Sequence, residues 1–108
     1  VDEPECTEIM NRVRNNVKML VDVAHLKVSS NSLNFDRISF LKKLDEWIFA
    51  YHLSDNDGNS DSNEKIRLDS WFWPFIKSNL DYYSIEVYGE EPEELVKQKE
   101  LTQRMIYN

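Results

Sequence analysis

The sequence predicts an all-α protein, a compact bundle of about four helices with a mobile acidic loop between helices two and three. Three observations favour this fold class. Apolar residues recur at steps of three or four over long stretches, which is the spacing of one helix face. The 108 residues include only 2 Gly and 3 Pro, too few for the turns of a β-sandwich or barrel. Residues 54–64 contain no apolar side chain, which is typical of a surface loop.

Length and composition describe one domain. A chain of 108 residues has the usual size of a single domain, and neither an internal repeat nor a linker divides it. We therefore predict a single helical domain over residues 1–108. The longest apolar runs, such as residues 47–50, are much shorter than the ~20 residues that a membrane-spanning helix needs, so we expect no membrane span.

The first helix is predicted over residues 4–27. Asp2 and Glu5 have the spacing of a capping box, and Pro4 fits the first helical turn. One apolar face follows at steps of three or four: Cys6, Ile9, Val13, Val17, Leu20, Ala24 and Val28. This face is widened by Val21, Val23 and Leu26, which indicates packing against two neighbouring elements.

The second helix is predicted over residues 35–53, after a polar break at residues 29–32. Asn34 is the expected N-cap, because its side-chain oxygen can accept a hydrogen bond from a free backbone N–H. The apolar face has the same helical spacing: Ile38, Leu41, Leu44, Ile48 and Tyr51.

The third helix is predicted to begin near residue 70, because Pro74 is tolerated only in a first turn. Residues 82–88 are ambiguous, since they alternate as a strand does. We interpret 78–88 as helix, ended by Gly89, because the sequence offers no convincing second strand. The last helix is predicted over residues 92–106, with Pro92 in its first turn.

The polar loop weakly resembles a calcium-binding loop. With Gly58 at the sixth position of an EF-hand, four carboxylates fall on ligand positions: Asp55, Asp57, Asp61 and Glu64. Leu53 occupies the first position and has no side-chain oxygen, and no second loop follows. We therefore predict no metal site, keep a calcium-binding module as the alternative, and expect a short linker to replace residues 55–63 at little cost.

Catalytic patterns are missing from the sequence. The two histidines, His25 and His52, lack a metal-binding spacing, and together with Cys6 they supply at most three of the four ligands of a structural zinc site. Two glycines cannot build a phosphate-binding loop. We therefore predict a protein that is not an enzyme and uses no cofactor.

The net charge and the cysteine content indicate which class of partner and which cellular compartment the chain favours. The net charge of −7 disfavours binding to nucleic acids. Cys6 is the only cysteine, so no disulfide can form within the chain. This favours an intracellular protein of the cytoplasm or nucleus, with a secreted or effector protein whose leader was removed as the alternative.

The predicted function is non-catalytic binding of another protein, as a regulatory or adaptor module or a small effector or inhibitor. Three successive aromatics at 71–73 cannot all face inward from one helix, and six acidic residues without a Lys or Arg lie between 81 and 94. The predicted partner-binding residues are Trp71, Trp73, Tyr82, Tyr83, Glu90, Glu91 and Glu93. We expect a partner with a basic or apolar groove; the alternative is an acidic inhibitor of a basic nucleic-acid-binding protein.

Overall fold

The computed structural model describes residues 3–12 and 18–107 and shows a mixed α/β fold. In these ranges a three-stranded parallel sheet accompanies four α-helices. The elements in chain order are α1 (Glu3–Arg12), β1 (Met19–Asp22), α2 (Val23–Leu33), α3 (Arg37–Leu44), β2 (Ile48–Leu53), β3 (Ser84–Ile85) and α4 (Pro92–Tyr107). The predicted all-α helical bundle is therefore wrong, because parts of three predicted helices pair as strands.

The single helix predicted over residues 4–27 is wrong. α1 ends at Arg12, and the chain is a strand at β1 before α2 begins. Asp22 is the N-cap of α2, because its Oδ1 accepts a hydrogen bond from the His25 backbone N–H at 2.9 Å. Asp2 of the predicted capping box and residues 13–17, with Val13 and Val17, lie outside the described residues.

The predicted helix over 35–53 is wrong in its second half. α3 ends at Leu44, a short 3-10 helix follows at Asp45–Trp47, and β2 takes the remainder. The predicted N-cap is also wrong: Asn34 adopts a left-handed conformation (φ 57°) at the end of α2, and Asp36 caps α3 by accepting hydrogen bonds from two backbone N–H groups. Burial of β2 between two strands overrides its helical spacing.

The third predicted helix, from residue 70 to 88, is wrong. Only Trp73–Phe75 forms a short 3-10 helix there, and Ser84–Ile85 forms β3. The strand partner that the sequence did not reveal is β2, which was hidden inside a predicted helix. Gly89 has the predicted positive φ (76°) but follows no helix. The last helix, predicted at 92–106, is confirmed as α4.

The sheet has the order β1-β2-β3, and both neighbouring pairs run parallel. Asp22 of β1 lies beside His52 of β2, and His52 lies beside Ser84 of β3. The core packs around the central strand and combines aliphatic and aromatic side chains: Val21, Val23, Leu26, Phe40, Leu41, Leu44, Ile48, Tyr51, Leu53, Ile66, Phe72, Val87 and Ile106.

The loop predicted over 54–64 is only partly solvated, since Asp57, Asp61 and Glu64 are exposed while other polar residues of the segment are buried; its mobility stays a prediction. Asp55 and Glu64 form an antiparallel bridge through two backbone hydrogen bonds of 2.9 and 2.8 Å. Four polar residues of the segment are buried: Ser54, Asp55, Asn56 and Asn63. Asp55, Asn56 and Asn63 have hydrogen-bond partners within the protein; for example, Asn56 Nδ2 donates to the Ala24 carbonyl oxygen at 3.0 Å. Hydrogen bonding thus allows part of this polar segment to be buried.

α4 is fixed to the rest of the fold by a buried glutamine. Gln98 Nε2 donates to the Ile66 carbonyl oxygen at 3.0 Å, and Gln98 Oε1 accepts from the Ile66 N–H at 2.6 Å. The amide side chain thereby satisfies both backbone groups of one buried residue. None of the helices in the described ranges has the length and apolar character needed to cross a membrane.

Candidate functional site

A groove of about 220 Å³ lies between β3 and α4. β3 is an edge strand of the described sheet, so its outer side faces this groove rather than another strand. The lining residues come from the segment around β3 and from one face of α4: Tyr82, Tyr83, Ile85, Lys99, Thr102, Gln103, Ile106 and Tyr107. The α4 members are spaced by three or four, so they share one face of the helix.

Two tyrosines of the groove are exposed. Tyr82 is 60% exposed and Tyr107 is 61% exposed, whereas Ile106, which also lines the groove, belongs to the buried core. Exposed aromatic side chains beside an apolar surface occur at sites that bind other molecules. The groove therefore combines two accessible aromatic rings with one residue of the core.

Tyr83 forms a fixed wall of the groove. Its hydroxyl donates a hydrogen bond to the Lys77 carbonyl oxygen, and its ring stacks on that of Tyr51 with centroids 6.1 Å apart. Burial raises the pKa of Tyr83 above its usual value, and burial likewise raises the pKa of Tyr51 to about 12. Both hydroxyls therefore stay protonated across the physiological range, and Tyr83 keeps its donor bond.

The structure places the predicted tryptophans away from this groove. Trp71 packs on Phe72 and Phe75, and the Arg37 guanidinium lies 4.9 Å above its ring. Trp73 is half-buried, and its Nε1 donates to the Arg67 carbonyl oxygen at 2.8 Å. Tyr82 and Tyr83 line the groove, so the predicted aromatic residues fall on two separate parts of the fold.

The predicted acidic residues lie at the amino end of α4. Glu90 and Glu91 precede the helix and Glu93 is in its first turn, near the positive end of the helix dipole. The groove begins at Lys99, eight residues beyond Glu91, which corresponds to about 12 Å along the helix axis. The acidic residues are therefore neighbours of the groove and do not line it.

The four carboxylates considered for calcium have separate partners. Asp55 accepts hydrogen bonds from Lys27 and Ser70, and Asp61 pairs with His25. Asp57 accepts from the backbone N–H groups of Asn59 and Ser60, which lowers its pKa, and Glu64 accepts from the Ser62 hydroxyl. The carboxylates are thus engaged one by one and do not share a central position.

Several groove residues were missed from the sequence: Ile85, Lys99, Thr102, Gln103, Ile106 and Tyr107. A signal for them exists, because residues 99, 102, 103, 106 and 107 form one stripe of the correctly predicted last helix. Because residues 82–88 were interpreted as helix, no strand was predicted that could lie beside this face of α4.

Comparisons with models of known protein families, with curated protein sequences and with solved structures each find no match to this chain. Its function is therefore inferred from the geometry and chemistry of its own residues.

Proposed function

We propose that this protein is a non-catalytic protein-interaction domain that binds a partner in the groove between β3 and α4. One observation carries the proposal: Tyr82 and Tyr107 are both exposed while they line a groove whose floor includes the core residue Ile106. Tyrosine is enriched among the residues that dominate binding energy at protein interfaces. A partner side chain that covered these rings would remove apolar surface from water.

The size of the groove supports a side chain as its occupant. A volume of about 220 Å³ is below the ~300–1,000 Å³ of typical cofactor and small-molecule pockets. It is large enough for one aliphatic or aromatic side chain of a partner. The tyrosine hydroxyls, Thr102 and Gln103 can provide hydrogen bonds around that side chain.

The negative charge of the chain favours a partner whose surface is basic around the bound side chain. The chain has a net charge of −7, and Glu90, Glu91 and Glu93 lie beyond one end of the groove. Opposite charges at the rim of an interface accelerate association and select partners. We therefore propose a partner that presents an apolar side chain flanked by Lys or Arg. The chain has one cysteine, Cys6, and therefore no intramolecular disulfide, which supports a reducing, intracellular compartment.

The test compares partner capture by three folded proteins. The double variant Tyr82→Ala/Tyr107→Ala removes both exposed rings of the groove. Tyr88→Ala is the matched control, because Tyr88 is 67% exposed but does not line the groove. We expect proteins captured by the wild type and by Tyr88→Ala to be lost from the double variant in quantitative mass spectrometry. Equal capture by all three would refute the groove as the binding surface.

Salt dependence separates this function from the acidic inhibitor of a nucleic-acid-binding protein. Binding that depends on the tyrosines should change little with ionic strength, whereas charge-driven binding weakens steeply. The variant Glu90→Lys/Glu91→Lys/Glu93→Lys provides the second comparison. Capture that is abolished by this variant and by salt, but not by loss of the tyrosines, would favour the inhibitor.

A further inference from the structure

The parallel register gathers three polar side chains at the carboxyl end of the sheet. Asp22 closes β1 and lies beside His52 of β2, and His52 lies beside Ser84 of β3. Glu86 directly follows β3, and its Oε2 lies 3.1 Å from His52 Nδ1, so it is on the side of the sheet used by His52. Carboxyl ends of parallel strands are where α/β proteins usually bind ligands.

The three side chains form a compact set of possible metal ligands. One ligand atom of each of Asp22, His52 and Glu86 lies within 4.8 Å of the others, and His52 Nδ1 is 3.1 Å from Glu86 Oε2. All three residues are half-buried, so they are reachable from solvent. Metal–ligand bonds of about 2.0–2.2 Å place the ligand atoms of one ion within about 4 Å of one another. The three ligand atoms would therefore move closer together by on the order of 1 Å when an ion binds.

A second layer of contacts holds Asp22 in place. Its Oδ1 accepts the backbone N–H of His25 at 2.9 Å, and its Oδ2 lies 3.0 Å from Nδ1 of the same histidine. The other ring nitrogen of His25 pairs with Asp61. Partners of this kind orient the primary ligands in metal sites. Both histidines of the chain are therefore next to this position.

The charges around the three side chains favour a cation. Asp22 and Glu86 bring two carboxylates to His52, and among the described residues their charged partners are histidines rather than Lys or Arg. Two carboxylates within 4.8 Å of one another repel when they are partly removed from water. A divalent ion would neutralise both and would receive one imidazole nitrogen.

We propose that Asp22, His52 and Glu86 bind one divalent transition-metal ion of the zinc class. Imidazole nitrogen together with carboxylate oxygen suits zinc and similar ions, whereas calcium and magnesium favour oxygen ligands alone. Three protein ligands leave a coordination position for water. Sequence spacing did not reveal this site, because the ligands come from β1, from β2 and from the residue after β3, and long segments separate them.

The experiment is titration of the chelator-treated chain with zinc chloride alone, followed by calorimetry. We expect one ion per chain for the wild type. His52→Ala and Glu86→Gln should weaken binding by on the order of 100-fold or more, because loss of an outer partner alone typically costs about 10–100-fold. Asp22→Asn should do the same while it preserves the start of α2, since asparagine is also a good N-cap.

The control is Glu93→Gln, which removes the same charge as Glu86→Gln from the first turn of α4. It should bind zinc as the wild type does. If His52→Ala retains wild-type affinity, or if Glu93→Gln weakens binding as much as Glu86→Gln, the proposal is wrong. Loss of binding in His25→Ala but not in His52→Ala would place the ion at His25 and Asp61 and would also contradict it.

A measurement on the wild type covers the case in which a variant fails to fold. NMR detection of the imidazole nitrogens distinguishes the two histidines, and zinc should shift a ring nitrogen of His52 as a direct ligand. No change at His52 under saturating zinc would overturn the assignment without any substitution. Cobalt chloride provides the same test by its absorption spectrum, which should respond to His52→Ala and not to Glu93→Gln.

Discussion

Lys27 and Asp55 form a partly buried ion pair, with Nζ 3.0 Å from Oδ1 although they are 28 positions apart in the chain. Asp55 is only 1% exposed. Its Oδ2 accepts from the Ser70 hydroxyl at 2.8 Å, and its Oδ1 accepts from the Asn56 N–H at 2.8 Å. The pair therefore ties α2 to the polar segment after β2, and it accounts for the burial of the Asp55 carboxylate.

We expect loss of Lys27 to destabilise the fold strongly. Lys27→Met removes the nearer cation of the buried Asp55 carboxylate and leaves, in the described part of the chain, only Arg67, whose Nη2 is 3.7 Å from Oδ2. The cost should therefore approach the ~3–5 kcal/mol of a broken buried pair. The double variant Lys27→Met/Asp55→Asn should recover part of this loss, because it removes the unpaired charge as well. Urea unfolding measures the free energies. The control is Glu8→Gln, which breaks the exposed pair with Arg12 and should cost less than about 1 kcal/mol. Equal costs for the two single variants would contradict this account.

We expect the free energy of unfolding to decrease at acidic pH because Asp55 becomes protonated. Burial raises the pKa of Asp55, but hydrogen bonds from Ser70, Lys27 and Asn56 outweigh it and hold this pKa below its usual value. The native state then binds fewer protons than the unfolded state, so this contribution is present above about pH 4 and is lost as pH falls through the native pKa.

This pH dependence is measured by urea unfolding between about pH 7 and pH 3. Asp55→Asn should flatten the decline of the unfolding free energy with acid. Asp69→Asn removes one carboxylate from a side chain that is 85% exposed and is the control. An Asp55→Asn curve parallel to that of the wild type would show that other groups cause the acid sensitivity.

The sequence could predict elements whose signals are local. Pro92 and the acidic residues before α4 define its start, and its apolar spacing is unambiguous. β2 could not be recognised, because Ile48 and Tyr51 satisfy helical spacing and strand burial equally well. Pairing with two distant strands decides the outcome, and no local pattern reports it.

The candidate site residues also differ in how far the sequence could predict them, because some depend on local signals and others on contacts between distant segments. Tyr82 and Tyr83 were named as partner-binding residues from the clustering of aromatics beside the acidic residues, and they line the groove; their role stays a prediction. Tyr107 was missed because the position of α4 depends on the pairing of Gln98 with Ile66, 32 residues away. Asp55 was interpreted as solvated because a polar segment is normally exposed, and its burial depends on Lys27 from another element.

Two glycines with similar backbone angles should respond differently to alanine. Gly58 and Gly89 have φ of 89° and 76°, so each alanine carries a strain of about 1–2 kcal/mol. A Cβ at Gly58 would lie 2.6 Å from Asn31 Nδ2, whereas a Cβ at Gly89 meets nothing within 4 Å. Gly58→Ala also disturbs the hydrogen bond from Asn31 to the Gly58 carbonyl oxygen, which adds about 1 kcal/mol.

Thermal and urea unfolding of the two glycine variants tests this difference. Gly58→Ala should be the less stable protein. In an Asn31→Ala background the side chain that clashes is absent, so the additional cost at Gly58 should disappear. If Gly58→Ala and Gly89→Ala unfold alike in the wild-type background, then the contact between α2 and the polar segment is not tight.

We expect millimolar calcium to leave the melting temperature unchanged. Asp55 already pairs with the Lys27 cation, and within the part of the chain that the structure describes the loop carboxylates do not come together as a group of three possible metal ligands. Leu53 supplies no side-chain oxygen at the first position of the loop. Differential scanning fluorimetry with calcium and with a chelator measures the effect. A calcium-dependent increase that disappears in Glu64→Ala would contradict this prediction.

The order of the parallel sheet has a kinetic consequence. The residues paired between β1 and β2, and those paired between β2 and β3, are about thirty residues apart in the chain. No tight hairpin can nucleate these strands, so the entropy of closing long loops must be overcome before any sheet hydrogen bond forms. We therefore expect stopped-flow refolding to be slower than that of a helical bundle of equal length, with α4 gaining helicity before β1, β2 and β3 become protected from hydrogen exchange.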